Sequence, residues 1–276
     1  MFHADSDITG ITTGIHALNK YTSGWQRGEL VVLAARPSMG KTALALNFIE
    51  AALFSQPKPV LMFSMEMPSE SLIMRMLSSV GRVDQNKIRS GSLTEEDWPK
   101  LTTAVQKLKG ASLYIDDTPA LTPQDIRARL RRIVREQENP GLIVVDYLQL
   151  MQTVDSREGR TQEVSEISRS LKAIAKEFDC PLIALSQLNR AVEQRPDKRP
   201  KNADLRESGA IEQDADVILF IYRDEYYYKE DSPDKGIAEL ILGKQRNGET
   251  GTCRAAFIGK YTRFDNLAAD YIRPDY

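Results

Sequence analysis

Apolar residues in this chain fall into short unbroken runs, and the segments between those runs carry helical spacing. The runs are Leu30-Val31-Val32-Leu33-Ala34, Pro59–Ser64, Ser112–Asp116, Leu142–Asp146, Pro181–Ser186 and Ala215–Tyr222. An aliphatic run of this length, bounded by turn residues, reads as a strand covered on both faces. Helical spacing fills the gaps. Ala43–Ile49 and Ser69–Ser79 are helix-forming, and from Thr161 onward Val164, Ile167, Leu171, Ile174 and Phe178 share one face. Thr94-Glu95-Glu96-Asp97 and Thr122-Pro123-Gln124-Asp125 read as capped helix starts, the second opening a helix from Pro123 to about Glu138. A short helix over Thr13–Asn19 is expected to pack under the first strand. Near the end, Ile237–Leu242 and Thr252–Ile258 flank an Asn-Gly turn, the mark of an antiparallel hairpin. Strand and helix alternate. The expectation is α/β: a doubly wound, mostly parallel sheet of about five strands with an added antiparallel C-terminal hairpin.

Composition narrows this only slightly. No Pro/Gly/Ser-rich linker divides the 276 residues, which favours one domain over two. Net charge is −2, so any nucleic-acid contact must come from a local patch and not from the chain as a whole. Cys180 and Cys253 lie in apolar runs without metal-ligand spacing and read as buried reduced thiols of a cytoplasmic protein. The N-terminus is polar and acidic, with no signal peptide, and no apolar run reaches membrane-spanning length.

The chemistry is concentrated at strand ends. Ala35-Arg36-Pro37-Ser38-Met39-Gly40-Lys41-Thr42 follows a strand and opens a helix, the context that makes a phosphate-binding P-loop credible. Loop amides and the helix N-terminus aim donors at a phosphate. Ser38, Met39, Gly40, Lys41, Thr42 and Ala43 form the nucleotide-binding set, with Lys41 reaching the β- and γ-phosphates and Thr42 ligating Mg²⁺. Ala35 stands where the general pattern has glycine, and its methyl is expected to restrict the backbone there. The run Leu142–Val145 ends in Asp146, where P-loop NTPases hold Mg²⁺. Glu66 follows another strand and is a candidate to orient or deprotonate a water; the alternative is an acid favoured by the next helix N-terminus. Arg75, on an apolar helix, either holds Glu66 or is solvated. Gln187 closes a further strand and is placed to touch a γ-phosphate or its attacking water. Five arginines, Arg127, Arg129, Arg131, Arg132 and Arg135, mark one helix either as a solvated outer face or as a nucleic-acid face; the former is favoured. His16 reads as a surface histidine. Asn189–Gly209 is a long polar loop, functional or mobile. Lys244 and Arg246 place two cations on the hairpin.

Six motifs coincide: Ala-Arg-Pro-Ser-Met-Gly-Lys-Thr (35–42), Phe-Ser-Met-Glu-Met-Pro (63–68), Asp-Tyr-Leu-Gln-Leu-Met (146–151), Leu-Ser-Gln-Leu-Asn-Arg (185–190), Asp-Leu-Arg-Glu-Ser-Gly-Ala-Ile-Glu-Gln-Asp-Ala-Asp (204–216) and Gly-Lys-Gln-Arg-Asn-Gly (243–248). Together they resemble the C-terminal, RecA-like motor domain of the DnaB-type bacterial replicative DNA helicases, from about Ile8 to Asn266. The resemblance implies a RecA-like P-loop NTPase that uses ATP and Mg²⁺ and works as a hexameric ring on single-stranded DNA in its channel. By position, it implies that Glu66 is the catalytic carboxylate and Asp146 the Mg²⁺-binding acid, with Gln187 as the coupling glutamine and Arg75 as the partner of Glu66. Lys244 and Arg246 are similar to the finger pair that a neighbouring subunit inserts, and Arg206, Glu207 and Gly209 match the loop that grips the DNA backbone. The family's full chain has a separate N-terminal helical domain and linker. Residues 1–10 therefore read as residual linker and the whole chain as one motor domain, excised or naturally short. Helicase loader and primase are possible partners through the family. A RecA-type recombinase or filament-remodelling ATPase, and a module that binds nucleotide only structurally, are the competing readings. The 204–216 loop and the 243–248 hairpin favour the helicase.

Overall fold

The computed structural model describes residues 8–152, 159–205 and 208–268. Its strands are β1 (Leu30–Ala35), β2 (Val60–Ser64), β3 (Leu113–Asp116), β4 (Leu142–Asp146), β5 (Leu182–Gln187), β6 (Val217–Tyr222), β7 (Ile237–Gln245), β8 (Gly251–Ile258) and β9 (Arg263–Asp265). Its helices are α1 (His16–Thr22), α2 (Lys41–Ser55), α3 (Ser69–Gly81), α4 (Gln85–Ser90), α5 (Asp97–Lys109), α6 (Pro123–Glu136), α7 (Arg160–Glu177), α8 (Ser208–Asp214) and α9 (Asp224–Tyr228). The described strands form one sheet in the order β3-β2-β4-β5-β1-β6-β7-β8-β9. β1 to β6 pair in parallel, and β7, β8 and β9 extend that sheet antiparallel.

Burial explains the order. β1, β2, β4 and β6 are buried at every residue, as their unbroken aliphatic runs require. Alternate residues then serve opposite faces: Val31, Leu33 and Ala35 join the core beneath α1 and α2, whereas Leu30, Val32 and Ala34 join the core beneath α6, α7 and α8. α6 starts in a full capping box, with Thr122 and Asp125 bonded reciprocally and Pro123 in the first turn. Three of its arginines answer acids, Arg127 and Arg131 on Glu177 and Arg129 on Asp116, which supports the outer-face reading of that helix. Cys180 and Cys253 are buried and free, and His16 is exposed.

Several expectations need correction. The parallel part holds six strands and not about five, and the expected antiparallel hairpin, β7–β8, is extended by a third antiparallel strand, β9. β9 has a single buried residue, Phe264, too little to leave a pattern. It is held from outside: the Phe264 amide donates to Asn47 Oδ1 at 2.8 Å, and Arg263 pairs with Glu50 at 2.6 Å. The stretch 189–209 is not one loop. It contains 3-10 turns at Arg190–Gln194 and Asn202–Asp204, and α8 starts inside it, anchored by buried Ile211. α1 begins at His16 and runs to Thr22, later than Thr13–Asn19, and it packs on β8. Among the described residues, no helix is long and apolar enough to cross a membrane.

Candidate functional site

Four adjacent strands, β2, β4, β5 and β1, deliver their C-terminal ends to one edge of the sheet. That edge is where open α/β sheets bind ligands. β1 ends at Ala35 and passes into the loop 36–40. Ala35 keeps an ordinary negative φ as the last strand residue, so its methyl costs nothing; the positive φ values fall at Ser38 (66°) and Gly40 (97°). Gly40 must be glycine for a second reason, because a Cβ there would lie 2.9 Å from the Phe264 ring. Arg36, almost fully buried, fastens the loop by donating to Glu193 Oε1 and to the Leu188 carbonyl, both at 2.8 Å. Gly40 caps α2, and Lys41 and Thr42 form its first turn.

Asp146 closes β4 with no exposed surface. Thr42 Oγ1 donates to its Oδ2 at 3.2 Å, and Lys41 Nζ lies 3.7 Å from its Oδ1. Oδ1 is buried and makes no hydrogen bond. Burial pushes the Asp146 carboxyl above its ordinary value, with Glu66 adding to the shift and Lys41, Thr42 and Arg75 opposing it. Burial likewise pulls Lys41 below the usual ammonium range against the attraction of Asp146 and Glu66. Arg75, half-buried on α3, is pulled down by burial and held charged by the same two acids. A desolvated carboxylate with an open oxygen beside a hydroxyl is the donor set that a hard divalent cation takes. Asp146 and Thr42 therefore fit Mg²⁺.

β2 ends in a turn fixed by Ser64, whose Oγ donates to the Met67 carbonyl at 2.8 Å and accepts from the Met67 amide. The Met65 amide donates to the Asp146 carbonyl, so the two strand ends are joined. This turn presents Glu66, exposed and within the field of Lys41, Arg75 and Asp146. Gln187 ends β5 opposite Ala35. Gln149 fixes that end: its Nε2 donates to Ser186 Oγ at 3.0 Å and its Oε1 accepts from the Gln187 amide. Lys41, Thr42, Glu66, Arg75, Asp146 and Gln187 thus converge on one edge.

Lys244 and Arg246 do not join them. They lie at the opposite end of the sheet. Arg246 NH1 is 3.3 Å from Asp216 Oδ1, just before β6 begins, and the Leu30 amide that opens β1 donates to Asp216 Oδ2. The six residues of β1, at about 3.3 Å each, separate this end from the P-loop by roughly 20 Å. Gly209 lies exposed in the first turn of α8; Arg206 and Glu207 fall outside the described residues.

Four contributors carried no role in the motif reading. Gln149 and Arg36 act through hydrogen bonds to distant residues. Arg223, just past β6, donates to the Ser38 carbonyl at 3.4 Å and stacks 3.8 Å from the centroid of Phe257, whose ring also faces Gly40. Only the placement of Phe257 by β8 brings that pair to the loop.

The model of the DnaB-like helicase C terminal domain matches residues 10–266. The chain belongs to that family. Among its DnaB relatives, the replicative DNA helicase DnaB of Buchnera aphidicola (subsp. Acyrthosiphon pisum) is 58% identical over 262 residues, which cover 95% of this chain and 57% of that protein. The chain thus spans a little over half the length of such curated relatives. A solved DnaB-like replicative helicase, described with its interactions with primase, superposes with a TM-score of 0.91 at 41% identity, covering 96% of this chain and 64% of that one. The RadB recombinase shares the fold alone, with a TM-score of 0.58 at 17% identity over 94% of this chain and all of that one. The DnaB-type domain is therefore RecA-like in fold, and its sequence likeness lies with the helicases and not with the recombinase.

Proposed function

We propose that the chain is the ATP-hydrolysing motor of a replicative DNA helicase, working as one subunit of a ring that encircles single-stranded DNA. One observation carries the reading: a single chain presents a P-loop with its acids at one sheet edge and two cations at the other, roughly 20 Å apart. The halves can meet only between chains. A head-to-tail interface repeated around a closed ring supplies that meeting, and the family relation favours six subunits.

Within one site, Lys41 would hold the β- and γ-phosphates. Thr42 and Asp146 would hold Mg²⁺, which would supply charge neutralisation for the phosphates. Glu66, exposed to water and in the field of Arg75, takes the proton of the attacking water, and Arg75 would steady its carboxylate. Gln187, held by Gln149, meets the γ-phosphate. Ser38, Met39, Gly40 and Ala43 line the phosphate cradle. Lys244 and Arg246 of a neighbouring chain oppose the charge that develops on the transferring group. Arg206, Glu207 and Gly209 grip the strand through its backbone, as a motor that must hold any sequence requires. Primase is a partner suggested by the solved relative described with it, a loader is one suggested by the family resemblance alone, and the cytoplasm is the compartment that the relatives' replication role implies.

The test compares Lys41→Ala with Glu66→Gln. Lys41→Ala loses nucleotide affinity and turnover. Glu66→Gln keeps affinity, measured by titration calorimetry, and loses turnover. Wild-type turnover in Glu66→Gln overturns the catalytic assignment.

A further inference from the structure

β7 changes face part-way along. Ala238, Leu240 and Leu242 point into the core beneath α2, and Ile241 packs on the opposite face. Plain alternation would send residue 244 to the α2 side. The pairing with β6 slips here: Leu219 faces Leu242, but Ile218 faces Lys244, so Gly243 is an extra, bulged residue. A bulge re-aims every side chain after it. Gln245 accordingly points toward α1, where its Nε2 donates to the Tyr21 carbonyl at 2.8 Å, and Lys244 and Arg246 point toward α8. The position tolerates only glycine, because a Cβ would lie 2.4 Å from both the Phe220 ring and Asn202 Oδ1.

The re-aimed cations meet the C-terminal end of α8. Lys244 Nζ donates to the carbonyl of Glu212 and to those of Gln213 at 3.3 Å and Ala215 at 2.6 Å. Arg246 NH2 donates to the Gln213 carbonyl at 3.0 Å. These are the carbonyls a helix end leaves without partners, and cations are favoured there by the helix dipole. α8 is only seven residues long, so its order rests on tertiary contacts: buried Ile211 holds it from one side and these two cations close its C-terminal end. Its first turn carries Gly209.

We propose that this helix end is a dock for Lys244 and Arg246, and that the two cations must leave it to reach a neighbouring subunit's nucleotide, uncapping α8 as they go. The inference rests on the finger reading of Lys244 and Arg246 and adds to it a mechanical consequence. One pair of side chains serves two sites, so occupancy of the nucleotide at a subunit interface and the order of α8 are linked. Linkage of this kind is reciprocal: whatever fixes α8, including a strand held at its first turn, biases the cations' departure.

Hydrogen–deuterium exchange at the α8 amides tests the dock on the whole chain. Without nucleotide, Lys244→Ala should exchange in α8 faster than the parent by on the order of tenfold, since several charge-assisted bonds are lost. At concentrations where light scattering shows assembly, a non-hydrolysable ATP analogue with Mg²⁺ should raise α8 exchange in the parent toward the Lys244→Ala level and leave the variant unchanged. Single-strand affinity should change with the analogue in the parent and not in Lys244→Ala. Unaltered α8 protection in the assembled parent on adding the analogue overturns the dock, even if hydrolysis still needs Arg246. Full hydrolysis by assembled Arg246→Ala overturns the finger reading instead. The nucleotide comparison uses the parent protein alone, so it decides even if the variant fails to fold.

Discussion

Asp216 offers a quantitative test of how the far end of the sheet is held. Its carboxylate is 4% exposed, accepts from Lys172 Nζ and from the buried Leu30 amide at 2.8 Å, and is ion-paired with Arg246 NH1 at 3.3 Å. Asp216→Ala strands the Leu30 amide, which costs about 1–3 kcal/mol, and leaves Lys172 short of its counter-charge. Removing one member of a buried pair costs about 3–5 kcal/mol in all, and Lys172 is softened by retaining the Gly28 carbonyl at 2.8 Å, so about 4 kcal/mol is expected. Asp216→Asn keeps an acceptor for Leu30 and loses only the charge, and should cost about 2 kcal/mol. Lys172→Met should make a following Asp216→Asn less costly, because the unpaired cation is gone. Urea denaturation followed by circular dichroism measures the parent and all four variants, and the m-value checks that the transition stays two-state. Equal losses for Asn and Ala, both under about 1 kcal/mol, would show that the Asp216 cluster is not the anchor argued here.

Other consequences follow from single contacts. Gly40→Ala forces a Cβ into the Phe264 ring at a φ of 97°, so it should cost about 1–3 kcal/mol and weaken nucleotide binding, read by denaturation and calorimetry. Thr122→Ala removes the α6 capping box and should cost about 1 kcal/mol in the same assay. Lys87 and Thr94 hydrogen-bond Asp97 and hold its carboxyl far below the usual carboxylate range. Its stabilising contribution is complete above the unfolded value near pH ~4 and is lost as pH falls toward the folded one, so Asp97→Asn should flatten the decline in urea midpoint below pH ~4. An unchanged acid limb in that variant counts against the Lys87–Asp97 contact.

The parallel strands and the P-loop edge were legible because each rests on local pattern. Unbroken aliphatic runs name strands buried on both faces, and a Gly-Lys-Thr after such a run names its ligand end. Asp146 was legible for the same reason, as the polar stop of the run Leu142–Val145. What stayed hidden is non-local. β9 leaves almost no pattern because Asn47 and Glu50, more than 200 positions upstream, hold it in place. α8 hides in a polar stretch because its own apolar contribution is the single buried Ile211 and its C-terminal end is closed by Lys244 on another element. The bulge at Gly243 is visible only as a slip against β6, and a lone glycine before a turn reads equally well as part of the turn. Arg36, Gln149 and Arg223 are ordinary polar residues in sequence, and hydrogen bonds across the sheet edge give them their roles.

The claim that one chain supplies both halves of a shared site is tested most directly by mixing. Lys41→Ala has no working P-loop but keeps Arg246, and Arg246→Ala has the reverse. Each alone should be nearly inactive in ATP hydrolysis with single-stranded DNA present, since loss of a finger lowers the rate by on the order of 10³–10⁵. Mixed one to one and allowed to exchange subunits, random head-to-tail neighbours give about a quarter of interfaces an intact P-loop facing an intact Arg246, and turnover should reappear. A mixture as inactive as its parts, beside an active wild-type sample prepared in the same way, would contradict a site shared between chains.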